Sequence, residues 1–206
     1  MSKMDMNEVQ DVVKEDGRLK TKDLIFAGAF GAIYLVMMLA IVMGTGSIPI
    51  LYLLSPLTVG VIGGTIYMLC VLKIHKFGAA LILGILFLLI SSTSNWLSIA
   101  TAAAAAVLAE LILFLGRYKS RKMYLASFPF FNLNMAAPFA LLQVNKQQFI
   151  DLSRAYYGEE RANALDAMTP GWIWYGLLAL AFAGGIIGSI IASRLIKKHF
   201  EKAGIV

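Results

Sequence analysis

The sequence predicts an all-α, polytopic membrane protein built as a bundle of six transmembrane helices. Two compositional observations support this fold class. Hydrophobic residues make up 59% of the 206 residues and charged residues only 15%, against roughly 25% charged in soluble domains, and the mean hydropathy is +0.76. Apolar runs long enough to cross a bilayer also recur along the chain. Their hydrophobicity is continuous rather than alternating, which favours helices over membrane β-strands.

The apolar runs divide the chain into an N-terminal segment, one membrane domain and a short tail. The N-terminal segment 1–22 mixes both charge signs, and the tail occupies 199–206. Pro129 and Pro138 interrupt the fifth span, and a polar stretch over 143–170 separates it from the sixth. The membrane domain, 23–198, holds six predicted spans at about 24–43, 51–72, 77–94, 96–115, 123–142 and 171–196.

The distribution of Lys and Arg predicts the orientation. Of the 18 basic residues, 15 lie in the N-terminal segment, the loops at 73–76 and 117–122, and the C-terminal end, and three lie in the remaining loops. The positive-inside rule places the first set, and therefore both termini, in the cytoplasm. The net charge of +6 is then a topology signal, so we expect no nucleic-acid partner. The expected location is a bacterial plasma membrane, crossed several times.

Motifs for nucleotide and metal chemistry are missing. The chain contains neither GxxxxGK[ST] nor HExxH, so we expect no ATPase activity of its own, no metal, no cofactor and no catalytic residue. Glu110 is the one acidic or basic side chain well inside a span, about 10 Å from its cytoplasmic end. We expect an ion pair with Lys73, Arg117 or Arg121; a coupling contact with a partner and a proton relay are the alternatives.

Neutral polar and aromatic side chains gather in the predicted outer half of the bundle. The predicted ligand-binding residues are Asn95, Trp96, Asn132, Asn134, Trp172, Trp174 and Tyr175. Asparagine is costly in lipid unless it faces protein or a cavity, and indoles offer stacking surfaces. Asn132 and Asn134 lie about 200° apart on a regular helix, so one should bond a neighbouring helix; Asn132 is slightly favoured as the ligand-facing one. Interhelical bonding for the asparagines and an interfacial belt for the aromatics are the alternatives.

The charge of this outer half also indicates a ligand class. The outer halves of the spans carry no Lys or Arg, which favours a neutral or mildly polar flat heterocycle, such as a pyrimidine- or thiamine-type compound. Lys146, Arg154 and Arg161 in the outer loop weaken this inference. The 143–170 loop is the next region to search if the predicted residues do not bind.

Small residues four apart line the first span, as Ala27-x3-Gly31 and Gly28-x3-Ala32, and such spacing lets another helix approach closely. With this span, KTKDLIFAGAFGAIYLVMM, the chain resembles the substrate-binding (S) components of energy-coupling-factor (ECF) vitamin transporters. It also resembles the small Treponema/Streptococcus-type integral membrane proteins. The resemblance covers the whole chain in architecture, and in residues mainly the first span, where Gly31 replaces the family's alanine.

The resemblance implies a vitamin-capturing subunit of an ATP-driven importer. Its partners would be membrane lipid, a vitamin or vitamin precursor, a transmembrane coupling subunit and two ATPase subunits. The first span would dock on the coupling subunit through Ala27, Gly28, Gly31 and Ala32, and the ligand would lie in the outer half, under the loop between spans one and two. Two alternatives are a small ion-coupled secondary transporter, for which only Glu110 qualifies, and an intramembrane enzyme, for which no paired acids or Ser/His pair are visible.

Overall fold

The computed structural model describes residues 19–91 and 95–200, and the regular structure in these ranges is helical. Two 3₁₀ turns, Leu133–Ala136 and Pro138–Ala140, interrupt the helices, and a π-helical turn at Ile196–Phe200 follows the last one. The α-helices are α1 (Thr21–Thr45), α2 (Pro49–Leu53), α3 (Ser55–Ile74), α4 (Ala79–Ser91), α5 (Trp96–Leu115), α6 (Arg121–Asn132), α7 (Leu141–Val144), α8 (Lys146–Tyr157), α9 (Glu159–Met168) and α10 (Ile173–Leu195).

Four of these helices, α1, α3, α5 and α10, are long and apolar enough to cross a membrane. The pair Arg121–Ala136 and Pro138–Val144 meets the same test as one broken span, bent by 45°. Helix α4 is strongly apolar but has 13 residues, and residues 92–94 of the predicted third span lie outside the described ranges. The protein is therefore a helical membrane protein with four or five candidate spans. The six-span count and the orientation remain predictions, and most of the predicted N-terminal segment and tail lie outside the described residues.

The second span begins later than the sequence predicts, because two prolines set the helix starts. Pro49 begins the short α2 and Pro56 lies in the first turn of α3, positions where the missing backbone donor costs no hydrogen bond. Leu54 joins the two helices. Helix α2 contacts α1 and α9, so it lies at the end of the bundle away from the basic 117–122 loop.

Helices α3 and α10 cross through glycines on both sides. A Cβ on Gly188 would lie 2.1 Å from the carbonyl oxygen of Gly60, and one on Gly64 would lie 2.7 Å from the carbonyl carbon of Gly188. Neither backbone can move away without separating the helices. Without side chains between them, the two backbones approach to van der Waals contact, and dispersion along the whole crossing stabilises the pair. This crossing forms the centre of the bundle.

The fifth span is broken between its two prolines. Pro129 lies inside α6, where it removes one helical hydrogen bond. From Leu133 the chain continues as 3₁₀ turns, and Pro138 starts the second turn. The Nε1 of Trp174 donates to the carbonyl of Ala136 at 3.1 Å, which satisfies one backbone group inside the irregular stretch. The break places irregular backbone inside the protein rather than against lipid, as the membrane requires.

The polar stretch at 143–170 folds into a helical hairpin, α8 and α9. Asn145 caps α8, since its Oδ1 accepts from the backbone N–H of Gln148 at 3.0 Å. Helix α8 buries Phe149 and Ile150 in a second apolar cluster, which also contains Phe139 and Trp174. The hairpin thus packs on the broken span and on the start of α10, and it covers the end of the bundle away from the basic loops.

Candidate functional site

A half-open cavity lies between the broken span and the ends of α1 and α4. We call it the core cavity; its volume is about 190 Å³. Ser55 lines it, and the buried Oγ of that residue has no hydrogen-bond partner, whereas buried hydroxyls normally have one. The lining residues are Met38, Leu39, Val42, Tyr52, Ser55, Phe87, Met135, Pro138 and Phe139. An apolar wall with a few polar groups is the usual lining of a small-molecule site.

A second cavity of about 210 Å³, here the loop cavity, lies under the α8–α9 hairpin. Its lining residues are Tyr52, Pro138, Leu141, Phe149, Leu152, Ser153, Tyr156, Tyr157 and Arg161. Tyr52 and Pro138 also line the core cavity, so the two cavities adjoin. Each alone is smaller than the roughly 300–1,000 Å³ of typical ligand pockets.

Arg161 is the charged side chain that lines the loop cavity, and it is only 7% exposed. Its guanidinium carbon lies 5.0 Å from the ring centroid of Tyr52 and 4.0 Å from that of Tyr157, within the range of cation–π attraction. Its Nε donates to the carbonyl of Gly46 at 2.5 Å and its Nη1 to the Oγ of Ser153 at 2.5 Å. Burial raises the pKa of Tyr52 to about 12 although the nearby Arg161 opposes this rise, so the Tyr52 hydroxyl stays neutral at physiological pH.

None of the seven residues predicted to bind ligand lines either cavity. Trp96, Trp172 and Tyr175 are 69%, 64% and 58% exposed, as expected for aromatics at a membrane interface. Asn95 caps α5, where its Oδ1 accepts from the N–H of Ser98 at 2.9 Å. Trp174 is buried, but its indole N–H donates to the carbonyl of Ala136 in the broken span.

The two asparagines of the broken span differ in their bonding. The Nδ2 of Asn132 donates to the carbonyls of Pro56 and Ala181, at 3.0 and 2.6 Å. Asn132 therefore links the broken span to α3 and α10, which is the interhelical alternative for this residue, although its Oδ1 has no partner. Asn134 is equally buried, yet neither its Nδ2 nor its Oδ1 has a partner. Of the two, Asn134 is the amide left without bonds.

Glu110 belongs to α5, and its carboxylate reaches the start of α4, where it accepts hydrogen bonds from three backbone N–H groups. Gly78 and Ala80 donate at 2.8 and 3.0 Å and Leu81 at 3.2 Å, while the hydroxyl of Tyr118 donates at 2.8 Å. A carboxylate at a helix N-terminus satisfies the free donors there and complements the helix dipole. The expected ion pair with Lys73, Arg117 or Arg121 is absent among the described residues. Glu110 caps a helix instead.

The four small residues of α1 divide into two sets. Ala27 and Gly31 are buried, and a Cβ on Gly31 would lie 2.5 Å from a methyl group of Leu86 in α4. Gly28 and Ala32 are exposed, and nothing lies within 4 Å of a Cβ placed on Gly28. Ala27 and Gly31 are therefore not available to a partner chain. Gly28 and Ala32, which we call the small-residue ridge, are the pair that faces outward.

The residues that do line the cavities had weak sequence signals. Tyr52 and Ser55 lie near the prolines at the starts of α2 and α3. Arg161 lies in a polar stretch whose composition predicts a loop. A stronger signal was available for the hairpin itself. A capping Asn145 followed by buried Phe149 and Ile150 is the pattern of an amphipathic helix.

The apolar helices and the broken span define a multi-pass membrane protein. The chain belongs to the family of hypothetical bacterial integral membrane proteins named Trep_Strep, whose model matches residues 21–202. No curated protein and no solved structure matches the chain.

Proposed function

We propose that the protein is the substrate-capturing membrane subunit of an ATP-driven, ECF-type importer for a vitamin or vitamin precursor. The observation that carries the proposal is the core cavity. It lies between helices at the end of the bundle away from the basic loops, which is the outer half if the 15 basic residues of the first set are cytoplasmic. A subunit that captures substrate needs a small-molecule site on that side.

The surroundings of the core cavity support a binding role. Irregular backbone at membrane depth is tolerated only when it is buried or lines a cavity, and Met135, Pro138 and Phe139 of the broken span line this one. The Oγ of Ser55 is fully buried and has no partner, so a polar group that reached it would find a donor and an acceptor. The pyrimidine- or thiamine-type ligand indicated by the sequence stays a prediction, and it loses support because Asn132 and the exposed tryptophans do not line the cavity.

The bonding of Glu110 favours this proposal over an ion-coupled carrier. A carrier driven by protons or sodium needs ionisable groups that change partners during transport. The carboxylate of Glu110 accepts four hydrogen bonds at one helix end, which suits a fixed structural role. The energy for uptake would then come from other chains, in keeping with the missing nucleotide-binding motif.

Reconstitution tests the proposal. The chain is purified with the coupling and ATPase subunits of the same bacterium and placed in liposomes, and uptake is measured for the compound that native mass spectrometry finds on the chain. We expect uphill uptake that needs all the subunits and ATP. Uphill uptake by the chain alone, driven by an ion gradient, would contradict the importer and favour the carrier.

The small-residue ridge supplies a sharper test of coupling. Gly28→Leu would place a side chain where a partner helix needs to approach, without any clash inside the chain. We expect loss of co-purification with the coupling subunit and of uptake, while the isolated chain still binds its compound. Ala40→Leu, at another exposed position of α1, is the matched control and should retain both. Equal co-purification of the two variants would place the docking surface elsewhere.

A further inference from the structure

We propose that the compound captured by this chain carries a carboxylate, which Arg161 binds in the loop cavity, next to the core cavity. This inference rests on the proposed function for the location of the site, and it replaces the neutral ligand class indicated by the sequence. The α8–α9 hairpin has one cation, Arg161, whose charge no described carboxylate balances.

The acidic residues of the hairpin either form ion pairs with cations other than Arg161 or are exposed. Arg154 pairs with Asp151 and, at 2.9 Å, with Glu159, and Lys146 pairs with Asp166 at 2.7 Å. Glu160 is exposed. Arg161 is the most buried of the three cations in the hairpin, and among the described residues no carboxylate lies within ion-pair distance of it. A buried charge without a counter-charge is costly, because nothing replaces the water that it loses.

The bonding of the guanidinium leaves part of it available. The rings of Tyr52 and Tyr157 pack on it, and two neutral oxygens accept from Nε and Nη1. Nη2 has no partner in the part of the chain that the structure describes. These contacts hold the planar group in one orientation at the wall of the cavity. An arginine fixed in this way is suited to a carboxylate, because its remaining N–H groups match the two oxygens.

The number of basic residues that line the two cavities favours a carboxylate over a phosphate. Arg161 is the one basic residue in the lining of the loop cavity, and the lining of the core cavity contains none. A phosphate carries nearly two charges at neutral pH and three acceptor oxygens, so a single guanidinium would leave it under-neutralised. A monoanionic carboxylate balances the site. Because Tyr52 and Pro138 line both cavities, a compound held by Arg161 lies next to the core cavity.

The test uses matched pairs of acids and neutral analogues with the full chain in detergent. The probes are nicotinate with nicotinamide, benzoate with benzamide, and pantothenate with panthenol, followed by thermal shift and calorimetry. Acidic compounds released from the purified chain are also identified by mass spectrometry.

We expect at least one acid to bind or to copurify, and to be preferred over its neutral analogue. Arg161→Gln should weaken it about 10- to 100-fold, the usual worth of hydrogen bonds to a charged group. Arg154→Gln, which removes an arginine of the same hairpin that already has acid partners, should bind like the parent.

A second variant covers the case in which Arg161→Gln does not fold after losing its bond to Gly46. Arg161→Lys keeps the charge, so it should still prefer acid over neutral analogue, with lower affinity. The proposal is overturned if the parent neither retains nor binds any acid, if the compound on the chain has no acidic group, or if the folded variants match the parent. A neutral compound that is still imported with ATP would overturn this inference alone, whereas acid binding without ATP-driven uptake would overturn only the proposed function.

Discussion

The two ends of the bundle differ in how completely their buried polar groups are hydrogen-bonded. At the basic end Glu110 receives four hydrogen bonds, and the hydroxyl of Tyr67 bonds that of Ser127 at 3.0 Å. Towards the middle and the other end, the described residues with unpartnered buried polar atoms are Tyr34, Ser55, Asn132 and Asn134. No carboxylate in the described part of the chain pairs with the buried Arg161 there. Buried polar groups are almost always satisfied in proteins. The difference therefore separates an end whose polar groups are paired from a region with unmet hydrogen-bonding groups, of which Ser55 and Arg161 line the cavities.

The largest effect that we expect tests the rigid part of this comparison. Gly188→Val would place a side chain 2.1 Å from the Gly60 carbonyl, and two backbones cannot both move aside without opening the α3–α10 crossing. We expect a loss of about 3 kcal/mol or more in the free energy of unfolding, or no folded protein. Thermal unfolding in detergent measures it. Gly28→Val makes the same change where nothing lies within 4 Å and should melt like the parent; equal melting of both variants would refute the close crossing.

Glu110→Gln should have the next largest effect, because it removes the charge from a buried cap. We expect a loss of about 1.5–3 kcal/mol, the range for hydrogen bonds to charged groups. Asp166→Asn, the same acid-to-amide change in an exposed ion pair with Lys146, should cost no more than about 1 kcal/mol. Denaturant unfolding in detergent compares the two. If Glu110→Gln is as stable as the parent but transports nothing, Glu110 is a proton relay and not a cap.

The fold was largely predictable because a membrane leaves few choices. Lipid cannot satisfy backbone groups, so long apolar runs become helices whatever their neighbours, and the fourth predicted span, 96–115, coincides with α5. The start of the second span differs from the prediction because Pro49 and Pro56 each set the start of a helix. Hydropathy is averaged over many residues and does not detect an effect limited to one turn. The sequence predicts a loop at 143–170 for a related reason: the helices there are amphipathic and short rather than apolar and long.

The site was harder to predict because partner choice depends on tertiary structure. Arg154 and Arg161 lie in the same polar stretch near the same acids, yet only the fold assigns Asp151 and Glu159 to Arg154. The asparagines show the same limit. Their spacing correctly indicates that one of the two bonds a neighbouring helix, but the choice of Asn132 depends on where Pro56 and Ala181 present their carbonyls. Sequence identifies unusual polar residues in a span and does not identify which of them already have partners.

The smallest effect that we expect compares Ser55 with Trp172. Ser55→Ala removes a buried hydroxyl that bonds nothing in the protein, so the melting temperature should stay the same or rise, since no hydrogen bond is lost and a desolvated polar group is removed. Binding of the copurified compound should weaken about 3- to 10-fold if its polar group bonds the Ser55 Oγ in the core cavity. Trp172→Ala, at a side chain 64% exposed and outside both cavities, should leave the affinity unchanged. Calorimetry on the two variants decides between the cavity and the aromatic cluster. Unchanged affinity for Ser55→Ala together with a loss for Trp172→Ala would return the site to the residues that the sequence indicated.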